Sequence, residues 1–166
     1  MSGILSEVSG WSRLTERIEG ELVVVEPLAS AHEAGLFAAG QDRDVWRYLT
    51  AFPNACENPA RFHRWMREAL TAAKEGTQGV WVILERSSGA PIGSTRYMAL
   101  RPEHDGLEIG WTWIGKRWWR TGANVETKLL LFGHAFDTLG CERGPDVRAA
   151  LRRRLTRHGL TAYAQQ

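Results

Sequence analysis

The sequence contains little cysteine, with Cys56 and Cys141 as the only two thiols in 166 residues. Two cysteines are too few for a disulfide framework or a zinc module, so no metal site is predicted. The chain also lacks an apolar run near the roughly 18 residues of a membrane-spanning helix, and its first residues lack the apolar core of a signal peptide. These absences predict a cytoplasmic protein with no membrane partner.

Neither sign of charge dominates, because the formal net charge is only +2 at pH 7. The charge is nevertheless uneven: residues 142–166 carry six arginines and two acids, whereas the rest of the chain is close to neutral. Such an arginine cluster is more often a solvated helix face than a nucleic-acid site, and no nucleic-acid motif accompanies it. An apolar content of 43% is enough for one domain with a hydrophobic core.

The most informative stretch combines a strand over 106–114, a loop over 115–124 and a helix over 123–139. Within the strand, large apolar residues alternate with Glu108, Gly110 and Thr112, which predicts one apolar face and places Glu108 on the opposite face. The apolar residues of that face are Leu107, Ile109, Trp111 and Trp113. The helix carries an apolar stripe at positions 125, 129, 132, 136 and 139.

The start of this helix is a candidate anion site. A helix that begins after a tight glycine-containing turn offers unpaired backbone N–H groups and the positive end of its dipole. We expect the N–H groups of Thr121 to Val125 to bind phosphate, with Arg117 or Arg120 as a charged partner.

The remaining patterns predict a mixed α/β fold with a mostly antiparallel sheet flanked by helices. Strands are predicted over 21–27, 79–86 and 91–100, the last two joined by a turn at 87–91. Helical segments are expected over 31–39 and 44–49. A longer helix is predicted over 58–75, because Asn58 suits the N-cap and Pro59 the first helical position.

These motifs, in this order, resemble the GNAT superfamily of N-acetyltransferases, and more closely its RimJ/RimL-like branch. The resemblance covers about residues 12–143. It aligns Trp119, Gly122 and Asn124 with the family's phosphate-binding turn and implies acetyl-CoA as the co-substrate, without a metal. The implied cofactor-binding residues are Trp113, Ile114, Arg117, Trp119, Arg120, Thr121, Gly122, Ala123 and Asn124.

The resemblance also implies roles around the acetyl group. Glu108 corresponds to an acid that takes a proton from the acceptor amine in many relatives, although a surface carboxylate is the simpler interpretation. Trp111 and Trp118 are candidates for the acceptor pocket. Core packing is the alternative for Trp111, and packing on the following helix is the alternative for Trp118.

The resemblance ends near residue 143, where the family would continue with another strand, another helix and two closing strands. Pro145 is poorly suited to a central strand, so we predict a helix over 145–158 instead. The chain is therefore divided into an incomplete acetyltransferase domain, residues 1–143, and a divergent arginine-rich tail, residues 144–166. An out-of-frame end of the coding sequence and a diverged tail both stay open as its origin.

Three functions follow from these observations. The first is an acetyl-CoA-dependent N-acetyltransferase that acts on a primary amine, either a protein N-terminus or a small amine. The second is a truncated, catalytically impaired binding protein derived from such an enzyme, and the third is a nucleic-acid-associated protein that uses the basic tail. Loss of the next strand would also expose the edge of residues 107–114, which predicts pairing of two chains into a homodimer.

Overall fold

A computed structural model describes residues 11–49, 51–52 and 55–141 and shows one antiparallel sheet whose five strands are neighbours in chain order. The predicted fold class and the four predicted strands are confirmed, and a two-residue strand precedes them. The strands are β1 (Ile18–Glu19), β2 (Val23–Pro27), β3 (Gly79–Glu85), β4 (Pro91–Arg101) and β5 (Gly106–Ile114). The helices are α1 (Glu33–Ala39), α2 (Pro59–Lys74) and α3 (Ala123–Gly133), and α3 continues into a π-helical turn over His134–Thr138.

The sheet separates two hydrophobic cores because successive side chains of each strand point to opposite faces. Val24, Val80 and Val82 face α1 and α2, whereas Val23, Val25 and Ile83 face α3. On the α2 side, Asn58 caps the helix by accepting the N–H of Arg61 at 2.9 Å. The face of α2 that packs on the sheet is Phe62, Trp65, Met66 and Ala69.

The buried face of α3 differs from the predicted apolar stripe. Val125, Leu129, Phe132 and Phe136 are only partly buried, and of the stripe only Leu139 is fully buried. The helix instead buries a face that contains polar side chains, which an apolar pattern cannot reveal. That face is Ala123, Glu126, Thr127, Leu130, Leu131, His134 and Ala135.

Glu126 fastens α3 to the start of β2. Its fully buried carboxylate accepts the backbone N–H of Glu21 at 2.8 Å and those of Leu22 and Val23 at 2.7 Å each. Three hydrogen bonds to one carboxylate offset its removal from water. Gly20 leaves the necessary space, because a Cβ atom there would lie 2.6 Å from the carboxylate.

A β-bulge in β5 overturns the predicted alternation of its side chains. Trp113 pairs with Ser94 but Gly110 pairs with Arg96, so β5 has one residue more than β4 across this step. Trp111 lies in the bulge with φ of +48°. Leu107 and Ile109 therefore face α3, whereas Trp111 and Trp113 face α2 on the same side of the sheet as Glu108.

Several predictions concern the end of the chain. The helix expected over 145–158 lies outside the described residues, and so does the tail of 144–166. In the described part of the chain β5 is an edge strand, and homodimer formation through it stays a prediction. None of the helices described is long and apolar enough to cross a membrane.

Replacing Glu126 by Gln tests whether its carboxylate holds α3 on the sheet. An amide has one acceptor oxygen and turns an NH₂ group toward backbone donors, so at least one buried N–H loses its partner. We expect the free energy of unfolding to fall by about 2–3 kcal/mol, the scale of a hydrogen bond to a buried charge. The fall should appear as a lower urea midpoint with an unchanged slope.

Glu21→Gln is the matched control, because the Glu21 side chain is exposed while its N–H belongs to the same cluster. Equal unfolding midpoints for the Glu126 variant and this control would show that the buried carboxylate does not stabilise the fold.

Candidate active site

A cleft of about 420 Å³ runs along the end of β5 to the first turn of α3. One wall comes from the residues that follow α1, and the other comes from β5, the loop after it and α3. The lining residues are Asp44, Val45, Tyr48, Thr112, Trp113, Ile114, Trp118, Trp119, Arg120, Gly122, Asn124, Val125 and Lys128. Because β5 has no neighbour on this side in the described sheet, every second N–H and C=O group of the strand points away from β4.

The N-terminus of α3 forms one end of the cleft and offers unpaired backbone donors. Gly122 precedes the helix with φ of +95°, a conformation that glycine adopts without strain. The N–H of Ala123 is held by Thr121 Oγ1 at 3.3 Å. Those of Asn124 and Val125 make no hydrogen bond within the described residues. Together with the positive end of the helix dipole, they make this helix start a candidate anion site.

The loop between β5 and α3 is fixed by side chains at both of its ends. Lys116 Nζ lies 3.0 Å from Asp42 and 2.7 Å from Asp44, which ties the loop to the opposite wall and lowers the pKa of the Asp44 carboxyl. The indole N–H of Trp118 donates to Glu85 at 2.8 Å, and that of Trp119 donates to the carbonyl of Ile114 at 2.8 Å. The tryptophans therefore hold the turn against β3 and β5.

The structure brings most of the predicted cofactor residues to this cleft. Trp113, Ile114, Trp119, Arg120, Gly122 and Asn124 line it, as does Trp118 from the predicted acceptor pocket. Thr121 and Ala123 line an adjoining smaller cavity next to the start of β2. Arg117 lines neither cavity, and its guanidinium lies 5.5 Å from the Trp118 ring.

Glu108 and Trp111 do not line this cleft. Both lie on the α2 side of the sheet. The ring of Trp111 lies 4.6 Å from the buried guanidinium of Arg96 and packs edge-on against Phe52. Glu108 is exposed, with 61% of its side chain accessible, and its carboxylate lies 3.5 Å from Arg101. The expectation that Glu108 faces away from the tryptophans is therefore wrong.

Sequence reasoning missed five lining residues: Asp44, Val45, Tyr48, Thr112 and Lys128. The first three are far from the loop in sequence and reach the cleft because the 3-10 helix Arg43–Trp46 packs beside β5. The alternation in β5 indicates only that Thr112 is one of the polar residues of that strand. Lys128 lies on α3 outside the predicted apolar stripe. The one sequence signal that could place Lys128 near the cleft is its position five residues after the start of the helix.

No cluster of metal-ligating side chains occurs in the described part of the chain. The two thiols are free and buried, and burial raises the pKa of Cys56 to about 12. An inert Cys56 follows, because the thiolate is the reactive form.

The family model of the GNAT acetyltransferase domain matches residues 23–154. This chain belongs to the GNAT acetyltransferase family. The match begins at the first residue of β2 and includes β5, the turn that follows it and α3, which are elements that form the cleft.

Solved structures show the same fold. A GCN5-related N-acetyltransferase from Brucella melitensis is 28% identical, with a TM-score of 0.66 over 85% of this chain and 71% of that protein. A candidate acetyltransferase from T. thermophilus is 35% identical, with a TM-score of 0.65 over 76% of this chain and 63% of that protein. RimL, a ribosomal L7/L12 α-N-protein acetyltransferase solved with coenzyme A, is 15% identical with a TM-score of 0.64 over 84% of this chain and 82% of RimL, which shows the fold alone.

The chain therefore spans less than two thirds of the length of the T. thermophilus protein. A search of curated proteins gave no significant match.

Proposed function

We propose that the chain is an acetyl-CoA-dependent N-acetyltransferase of the RimJ/RimL-like branch, which transfers an acetyl group to a primary amine of a protein N-terminus or a small molecule. The observation that carries the proposal is the pair of unpaired N–H groups, on Asn124 and Val125, at the end of a cleft beside an edge strand. A phosphate binds at such a helix start, and an extended arm with amide groups has strand donors and acceptors along β5.

The residues present fit the cofactor in charge as well as shape. Arg120 lines the cleft two residues before Gly122, so a cation lies near the helix start where phosphate charge would arrive. Support for coenzyme A also comes from family membership, because GNAT enzymes use acetyl-CoA, and from the coenzyme A complex of RimL. A cytoplasmic location belongs to the same proposal, since both thiols are free.

Acetyl transfer from a thioester needs a neutral amine, because an ammonium group has no lone pair for attack on the carbonyl carbon. We assign the removal of its proton to Glu108, directly or through a water molecule. The Glu108 carboxylate lies on the α2 side of the sheet, as Trp111 does. The acceptor amine would therefore approach β5 from the α2 side. Backbone N–H groups on the free edge of β5 would stabilise the negative oxygen of the tetrahedral intermediate.

Replacing Gly122 by Pro tests the cofactor site. Proline fixes φ near −65° and lacks an N–H, whereas Gly122 has φ of +95°. The turn must rearrange, so we expect acetyl-CoA binding to fall below detection in a calorimetric titration. Gly89→Pro is the control, because Gly89 also has positive φ, +70°, but lies in the turn between β3 and β4. Wild-type affinity in the Gly122 variant would contradict the assignment.

Replacing Glu108 by Gln tests the general base. Coenzyme A release is measured with a thiol reagent while N-terminal peptides and small amines are offered as acceptors. We expect kcat to fall on the order of 10²-fold, the usual scale for loss of a general base, with most of the loss recovered at higher pH as more amine becomes neutral. Glu103→Gln controls for loss of an exposed carboxylate nearby. A wild-type rate and pH profile for the Glu108 variant would assign proton removal to another group or to solvent.

A further inference from the structure

Lys128 places an ammonium group in the wall of the cleft, beyond the helix turn that would bind phosphate. Its Nζ donates to Thr112 Oγ1 at 2.5 Å, and Thr112 Oγ1 lies 2.7 Å from Thr95 Oγ1. The lysine therefore links α3 to β5 through the hydroxyl of Thr112, which in turn contacts the hydroxyl of Thr95 in β4. At about 1.5 Å per residue, it lies about 7–8 Å along the axis from Ala123, the first residue of α3.

The positive charge of Lys128 lacks a counter-ion in the described part of the chain. No carboxylate there lies within 4.0 Å of Nζ, whereas Lys116 in the same region has two. The one acid in the cleft lining, Asp44, is engaged by Lys116 and Arg47. Because a poorly solvated ammonium group without an anion is costly, the arrangement favours an anion that arrives with a ligand.

The position of Lys128 indicates which anionic group of the ligand it would contact. Phosphate charge is accommodated at the helix start by the N–H groups of Asn124 and Val125 and by Arg120. Lys128 instead contacts Thr112, which lies two residues before the end of β5 and one residue from the bulge at Trp111. In a cofactor that extends from the helix start along β5, two groups become negative away from the phosphates. The carbonyl oxygen is assigned to backbone N–H groups of the strand edge, which leaves the thioester sulfur for Lys128.

We propose that Lys128 is a catalytic residue that stabilises the sulfur of coenzyme A as a thiolate when the thioester is cleaved. The inference rests on the proposed function. As the amine nitrogen bonds to the carbonyl carbon, the C–S bond breaks and its electron pair goes to sulfur. Lys128 keeps its proton and pairs with the sulfur anion, which takes a proton from solvent, while the proton of the amine leaves through Glu108. The products are an amide and a free thiol.

The charge of Lys128 suits this step. Burial lowers its pKa to about 8, and a thiolate that forms beside it favours the charged ammonium form. The hydroxyl of Thr112 accepts a hydrogen bond from the ammonium group of Lys128. Because the hydroxyl can rotate, it accepts from Lys128 whether it donates to Thr95 or accepts from Thr95. The other titratable groups of the cleft are Asp44, Tyr48 and Arg120.

The test measures the thiol pKa of bound coenzyme A from the ultraviolet absorbance of its thiolate, with the complex of desulfo-coenzyme A as the blank. It needs neither an acceptor nor turnover. A nearby ammonium group lowers the pKa of a neighbouring acid by about 1–3, so we expect the bound thiol to be that much more acidic than the free one. Lys128→Met should abolish the difference, Lys128→Arg should retain most of it, and the exposed Lys74→Met should leave it unchanged.

Each other outcome overturns the inference in an identifiable way. If the wild-type protein binds coenzyme A but leaves its thiol pKa at the free value, Lys128 has no role at sulfur while the cofactor site stands. This result does not depend on the folding of any variant. If Lys128→Met weakens desulfo-coenzyme A as much as coenzyme A, the lysine binds phosphate instead. If neither ligand binds, the proposed function fails and the inference with it.

Discussion

The buried carboxylate of Glu126 is the contact on which the geometry of the cleft depends. It joins the first turn of α3 to the backbone at the start of β2, more than a hundred residues earlier in the chain. Apolar packing alone would let a helix slide or rotate on a sheet, because it is not directional. Three hydrogen bonds to one side chain set the position of α3 along the strands, and Gly20 is the residue that lets the carboxylate approach.

That position aligns two features that a coenzyme A site needs. The first turn of α3 presents its free N–H groups at the end of β5, and the second turn carries Lys128 opposite Thr112. Around the bulge at Trp111, Lys128 meets β5 from the α3 side, whereas Glu108 lies on the α2 side. The proposed removal of the amine proton and the proposed stabilisation of sulfur therefore use opposite faces of one strand.

Sequence patterns predicted where the strands and helices lie better than they predicted which face of each element is buried. The strands and α2 were predicted because alternation, turn residues and the Asn58 cap are local signals, and the predicted turn does lie at a helix start. The buried face of α3 was missed, since Glu126 and His134 are buried by partners distant in sequence. The bulge was missed because one extra residue reverses the alternation without any change in composition. Lys128 gained its significance only from its hydrogen bond to Thr112 of β5, which no local pattern reveals.

The central claim is that the free N–H groups of α3 and the edge of β5 form one cofactor site. Amide chemical shifts of the ¹⁵N-labelled chain, recorded during titration with acetyl-CoA, test it most directly. The account predicts the largest shifts at Asn124 and Val125, as their unpaired N–H groups acquire an acceptor, with further shifts at Thr112 and its neighbours in β5. Saturable shifts confined to another surface, or none at all, would contradict it.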